Sequence, residues 1–98
     1  MSLPAPPDDA WLDAECRRLL AFGGNVIHPV GGAAWLGDEG VPDLDRPVHT
    51  WITSRTVHVY ALGHLLGVEG CAPIATAALD GLRSTLSDDE HGGWFGAV

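Results

Sequence analysis

The chain has 98 residues, of which 46% are hydrophobic, and a formal charge of −8, with thirteen acids set against five basic residues that are all arginine. At this length it makes one domain at most and buries roughly 60–65% of its unfolded surface, a thin margin for a chain standing alone. Its charge repels phosphate backbones and anionic lipid heads, and no apolar run is long enough to span a bilayer, so the expectation is no nucleic-acid partner and no membrane role.

The opening Met1-Ser2-Leu3-Pro4-Ala5-Pro6-Pro7-Asp8-Asp9 has neither the charged nor the apolar region of a signal peptide. Cytoplasmic residence is expected from it, with residues 1–8 extended or disordered. The first helix is predicted over 9–22. Asp8 and Asp9 suit its positive end, Leu12, Cys16, Leu19 and Leu20 recur on one side beside Trp11, and Gly23-Gly24 ends it. The stretch from Asn25 to Pro47 is rich in glycine and proline and too long for an ordinary connection. Within it, Trp35-Leu36-Gly37 followed by Asp38-Glu39-Gly40 reads as a tight turn or a small hairpin. Trp35 either walls a binding site or plugs the base of the loop.

A second helix is predicted over 48–66, closed by Gly67. A third is predicted over 73–86, with Pro73 at a first helical position. Ile74, Ala77, Ala78, Gly81, Leu82 and Thr85 give the third helix a narrow stripe of mostly small residues, suited to close helix–helix contact. A polar turn over 87–93 follows, and Trp94-Phe95-Gly96-Ala97-Val98 reads as the start of a strand. A chain that stops inside such an apolar run is expected to be a fragment. Cys16 and Cys71 are too few for a disulfide scaffold and lack zinc-site spacing, so both are expected to be small packed residues.

Chemistry concentrates in the second helix. On a 3.6-residue period Val48, Trp51, Ile52, Arg55, Val59, Leu62 and Leu66 share one face, bordered by His58. No acid occurs between Arg46 and Glu69, so none within the helix can pair with Arg55. A buried guanidinium keeps its proton and costs several kcal/mol unless it is paired. Its partner is therefore expected to be a distant carboxylate, backbone carbonyls or a hydroxyl-rich ligand. An aromatic wall with a cationic fork binds a sugar by stacking and hydrogen bonding. The plainer reading is a core tryptophan beside an arginine that carries its head to the rim. His28, His49, His58, His64 and His91 show no metal-binding spacing, and no phosphate-loop or nucleophile-elbow motif occurs, so no metal and no cofactor are expected.

The wording His49-x-Trp51-Ile52-Thr53-x-Arg55-x-x-His58-Val59-Tyr60 resembles the second-helix motif of the N-acylglucosamine 2-epimerase superfamily, in its aldose–ketose isomerase branch. Trp11-Leu12, Phe22-Gly23, the Trp35-Leu36-Gly37 turn and the closing Gly92-Gly93-Trp94-Phe95 resemble that branch in the same order, so the likeness runs from Trp11 to Val98. The resemblance implies an all-α chain: amino-terminal helical hairpins of an (α/α)6 barrel, with a single incomplete barrel domain over 9–98. It implies a metal-independent isomerase of the mannose/fructose type, a monosaccharide substrate, and Arg55 reaching sugar oxygens near C1 or C2 with Trp51 in the wall. The family's catalytic histidines and glutamate lie on later helices, so no residue of this chain is carried over as catalytic, and the chain alone is expected to be inactive. Epimerisation of an N-acyl sugar or a disaccharide is a second implied chemistry. A non-catalytic helical module that self-associates through its exposed apolar face is a third reading.

Overall fold

The computed structural model describes residue 6 and residues 8–98. Of the segment 1–8, residues 1–5 and 7 lie outside the described residues; Asp8 is extended and serves as the N-cap of the first helix. In chain order the elements are α1 (Asp9–Phe22), β1 (Trp35–Leu36), β2 (Pro42–Asp43), α2 (Thr50–Leu65) and α3 (Cys71–Gly81), followed by a π-helical turn over Leu82–Leu86. The three expected helices are present within a few residues of their expected ends. The chain is not wholly α, because the long loop contains a two-stranded antiparallel hairpin.

Asp8 starts α1 by accepting a hydrogen bond from the Trp11 backbone N–H at 2.8 Å, which satisfies one of the orphan donors of the first turn. Of the predicted apolar side of this helix, only Leu20 is buried; Trp11, Leu12 and Leu19 are each more than half exposed. The periodicity located a helix with an apolar stripe, but this chain covers only the end of that stripe. Gly23 stops α1 without a left-handed turn, its φ being −84°. A glycine is required there because a Cβ would come within 2.5 Å of the Tyr60 hydroxyl.

The α2–α3 pair is the packed centre of the molecule. A glycine at 63 lets the start of α3 approach, since a Cβ there would lie 2.7 Å from Cys71 Sγ. Cys71 and Ala78 are buried, and Cys16 is half-buried, as expected of small packed residues. Helix α3 begins two residues earlier than predicted, which makes Pro73 its third residue; the missing N–H still falls among the donors that the first turn leaves free. Its far end also departs from expectation. Gly81 abuts the backbone of Gly32, where a Cβ would sit 2.1 Å from the amide nitrogen, and the chain then widens into the π turn. That turn buries Leu86 completely and lets the Thr85 hydroxyl donate to Val30 O at 2.7 Å.

The loop between α1 and α2 is two successive turns. Ala34 N–H donates to Val26 O at 2.7 Å, closing the first. The second is the hairpin, with Trp35 opposite Asp43 and Leu36 opposite Pro42. His28 is buried and ties the two together. Its Nδ1 accepts from the Val30 N–H at 3.1 Å and its Nε2 lies 3.2 Å from Leu44 O, so the pattern assigns the Nε2–H tautomer. The closing segment expected to be a strand is extended: Val48 and Val98 exchange backbone hydrogen bonds of 2.7 and 2.9 Å, and single bridges join His49 to Ala97 and Ser87 to Trp94.

Candidate functional site

Helix α2 presents two faces, and the sequence pattern misassigns which is inside. Its buried residues are Thr53, Thr56, Tyr60 and Gly63. The predicted stripe is largely outside, with Trp51 52% exposed, Val59 47%, Leu62 46% and Leu66 63%. Thr53 and Thr56 are inside because their hydroxyls are satisfied locally, donating to His49 O and Ile52 O at 2.8 and 2.9 Å. Thr53 Oγ1 also accepts from the Ala33 N–H at 3.0 Å, which anchors the loop to the helix. Small side chains on this face permit the close approach of loop and α3, and bulky apolar ones would not. The 53/56/60/63 spacing has the period of a helix face, so a search for small and hydroxyl-bearing residues, beside the apolar ones, would have found it.

Arg55 accordingly is exposed, which corrects the expectation of a buried guanidinium in need of a partner. It makes no ion pair among the described residues, and its guanidinium carbon lies 5.2 Å from the centre of the Trp51 ring. The two residues proposed as substrate-binding from the sequence are therefore brought together as a stacked pair, of the kind worth about 0.5–1 kcal/mol at an exposed position. Beside them lies an open cavity of about 250 Å³, lined by Gly23, Val26, Leu36, Trp51, Ile52, Arg55, Thr56, Val59 and Tyr60. A second hollow of about 360 Å³ runs between α1 and α2 and is almost wholly apolar.

Trp51, which lines the first cavity, belongs to a cluster of three rings. Trp35 stands edge-on to Trp51, with centroids 6.2 Å apart and planes at 84°. His49 stands 5.7 Å from Trp35 and 6.4 Å from Trp51. Trp35 is half-buried and touches Trp51, but it is not itself among the residues that line the cavity. Tyr60 also lines the cavity. Its hydroxyl donates to Leu20 O at 2.7 Å, and burial, with a smaller contribution from the neighbouring Cys71, holds its pKa above the ordinary tyrosine value. His58 and His64 are exposed on α2, and His91 is exposed beside Asp88 at 3.3 Å. None of the five histidines pairs with a carboxylate at the cavity. No group of three or more His, Cys, Asp or Glu among the described residues is arranged to hold a metal ion. No helix among them is long and apolar enough to cross a membrane.

The model of the N-acylglucosamine 2-epimerase (GlcNAc 2-epimerase) family matches residues 31–98. The chain belongs to that family. The matched region takes in the hairpin, both faces of α2 and the Trp51–Arg55 pair. Among relatives, a D-mannose isomerase of Thermobifida fusca is 49% identical over 89 residues, which are 91% of this chain and 22% of that protein. A D-mannose isomerase of Pseudomonas cannabina pv. alisalensis is 35% identical over 96 residues, or 98% of this chain and 23% of that protein. The chain thus spans between a fifth and a quarter of the curated relatives it matches, and the likeness runs through nearly all of it.

Proposed function

We propose that this chain is the amino-terminal part of an (α/α)6-barrel sugar isomerase that interconverts an aldose and a ketose of the mannose/fructose type. The observation that carries the reading is the Trp51–Arg55 stack beside a cavity, in a chain with relatives of 49% and 35% identity named D-mannose isomerase. In such a reaction a base removes the C2 proton of the open-chain aldose, a cis-enediol forms, and a proton returns to C1 to leave the ketose. Negative charge builds on O1 and O2 along the way. A guanidinium fork held next to an indole stabilises that charge and grips the same oxygens in the ground state. Trp51 offers its face to the C–H surface of the sugar. Acid–base work needs a group that titrates near the operating pH. No histidine here is assigned to it: His28 is locked in backbone hydrogen bonds, and the others have no carboxylate at the cavity to orient them. The base then belongs to sequence that the relatives have beyond the matched part.

The test is saturation-transfer NMR of the chain with D-mannose, alongside proton NMR in deuterated water. The expected result is weak binding without deuterium at C1 or C2. Arg55→Lys keeps the charge and loses the planar fork, so affinity falls by roughly three- to tenfold, the worth of about one hydrogen bond. Identical mannose signals from wild type and Arg55→Ala would remove Arg55 from the site. The family's other chemistry, 2-epimerisation of an N-acyl sugar, predicts stronger signals from N-acetylmannosamine than from mannose. Silence toward both sugars, with mass that rises with concentration in sedimentation, would favour the helical-module reading instead, which the half-exposed Trp11, Leu12 and Leu19 make physically reasonable.

A further inference from the structure

Trp51 sits on the exposed side of α2, where an indole with no neighbours would sample several rotamers. Here it has neighbours of two kinds, Arg55 over its ring and Trp35 and His49 in T-shaped contact with it. Both edge contacts fall within the separations at which aromatic pairs attract beyond their burial. Trp35 is itself held from behind. It lies opposite Asp43 in the hairpin, and the Arg46 guanidinium carbon stands 5.2 Å from the centre of its ring. Arg46 Nε is in turn 3.3 Å from Asp43 Oδ2, while Asp43 Oδ1 accepts from the Asp45 backbone N–H at 3.1 Å. A continuous series of contacts thus leads from the turn after β2 to the candidate sugar-binding guanidinium: Asp43, Arg46, Trp35, Trp51, Arg55.

We infer that Trp35 is a positioning residue for the Trp51–Arg55 pair, backed by Arg46 and Asp43, so that the hairpin of the long loop sets where the guanidinium points. The inference rests on the reading of that pair as a sugar site only for its consequence, since the positioning itself is measurable without sugar. Arg55 lies over an indole ring, so its side-chain protons are displaced upfield by the ring current. When Trp35 is removed, Trp51 turns freely and that displacement averages away.

The experiment is NMR of the whole chain, following the Arg55 side-chain resonances, assigned with Arg55→Lys, in Trp35→Leu, Trp35→Phe and Arg46→Gln. The Tyr60 and Leu86 amides report the packed centre. The expected result for Trp35→Leu is loss of more than half of the Arg55 upfield displacement, with the two amides unmoved. Mannose affinity falls roughly two- to tenfold, the fold-change equivalent of one aromatic pair. Trp35→Phe, which keeps a ring edge, restores most of both readouts. Arg46 is at the surface, so Arg46→Gln folds even where Trp35→Leu does not; it shifts Arg55 in the same direction by less. Arg55 resonances that stay in place in these variants overturn the inference, as does unchanged mannose affinity in a Trp35→Leu chain whose wild type binds. Collapse of the displacement in a chain that never binds mannose upholds the positioning and refutes the sugar reading alone.

Discussion

The junction of α1 with α2 makes a sharp prediction, because one hydroxyl group serves two purposes there. Tyr60 Oη donates to Leu20 O at 2.7 Å, near the carbonyl end of α1, where the Gly24 N–H has turned away to Ala21 O. Tyr60→Phe leaves that buried carbonyl without its donor, at a cost of about 1–2 kcal/mol. For a domain of this size that lowers the melting temperature by about 5–15 °C. The same oxygen is what excludes a side chain at Gly23, since a Cβ would meet it at 2.5 Å while the nearest ring carbon, Cζ, lies at 3.7 Å. Gly23→Ala alone must either push the hydroxyl off Leu20 O or displace the end of the helix, and costs about 1–3 kcal/mol. In the Tyr60→Phe background the obstruction is gone. The backbone at 23 suits alanine, so the added methyl becomes neutral or stabilises by about 0.4–1 kcal/mol through the unfolded chain. The two substitutions should therefore be strongly non-additive, with a coupling of about 1–4 kcal/mol. Urea unfolding of the four chains, followed by circular dichroism, measures it. Additive costs would show that Gly23 is glycine for some other reason and that the hydroxyl does not hold the junction.

Two further outcomes follow from close contacts and from burial. Gly81→Ala places a methyl 2.1 Å from the Gly32 amide nitrogen, a backbone atom that cannot swing aside, and should cost about 3 kcal/mol; Gly96→Ala, with nothing within 4 Å, should change stability by less than about 0.5 kcal/mol in the same thermal melts. Tyr60 has its pKa raised by burial, so the fold favours the neutral phenol. That contribution is whole below the unfolded-state pKa of about 10 and is lost as the pH rises through the higher folded value. Melting temperatures from neutral to strongly alkaline pH should fall more steeply for wild type than for Tyr60→Phe above about pH 10, and parallel curves would refute the assignment. Tyr60 is the only tyrosine, so tyrosinate absorbance reports the same titration directly.

The face of α2 turned toward the cavity connects these energetics with the proposed chemistry. The packed centre is small: among the described residues the largest fully buried side chains are Leu86, Val48 and Thr53. Trp51, Arg55 and Val59 are presented outward from that centre, together with the apolar side of α1. These exposed apolar residues surround the pair that the proposed sugar site rests on.

The helices and the residue types of the candidate site are legible in the chain, because both are local. Caps, glycine stops and the 3.6-residue repeat depend on neighbours a few positions away, and they located α1, α2 and α3 and the turn at 37–40. The wording around Trp51 and Arg55 was enough to reach the family, which is a matter of residue identity along one stretch. Tertiary structure decided which face of α2 is buried. Apolar residues lie on both sides of that helix, so hydrophobicity could not choose, and the choice fell to Gly63 and the threonines, which are small enough to admit the loop and α3; the threonine hydroxyls find carbonyls four residues back. It also decided what Gly23, Gly32 and Gly81 are for, since each meets an atom at least sixteen positions away. Only in three dimensions does Trp35 reach Trp51, sixteen residues on, because the hairpin and the end of the loop fold back before α2 begins.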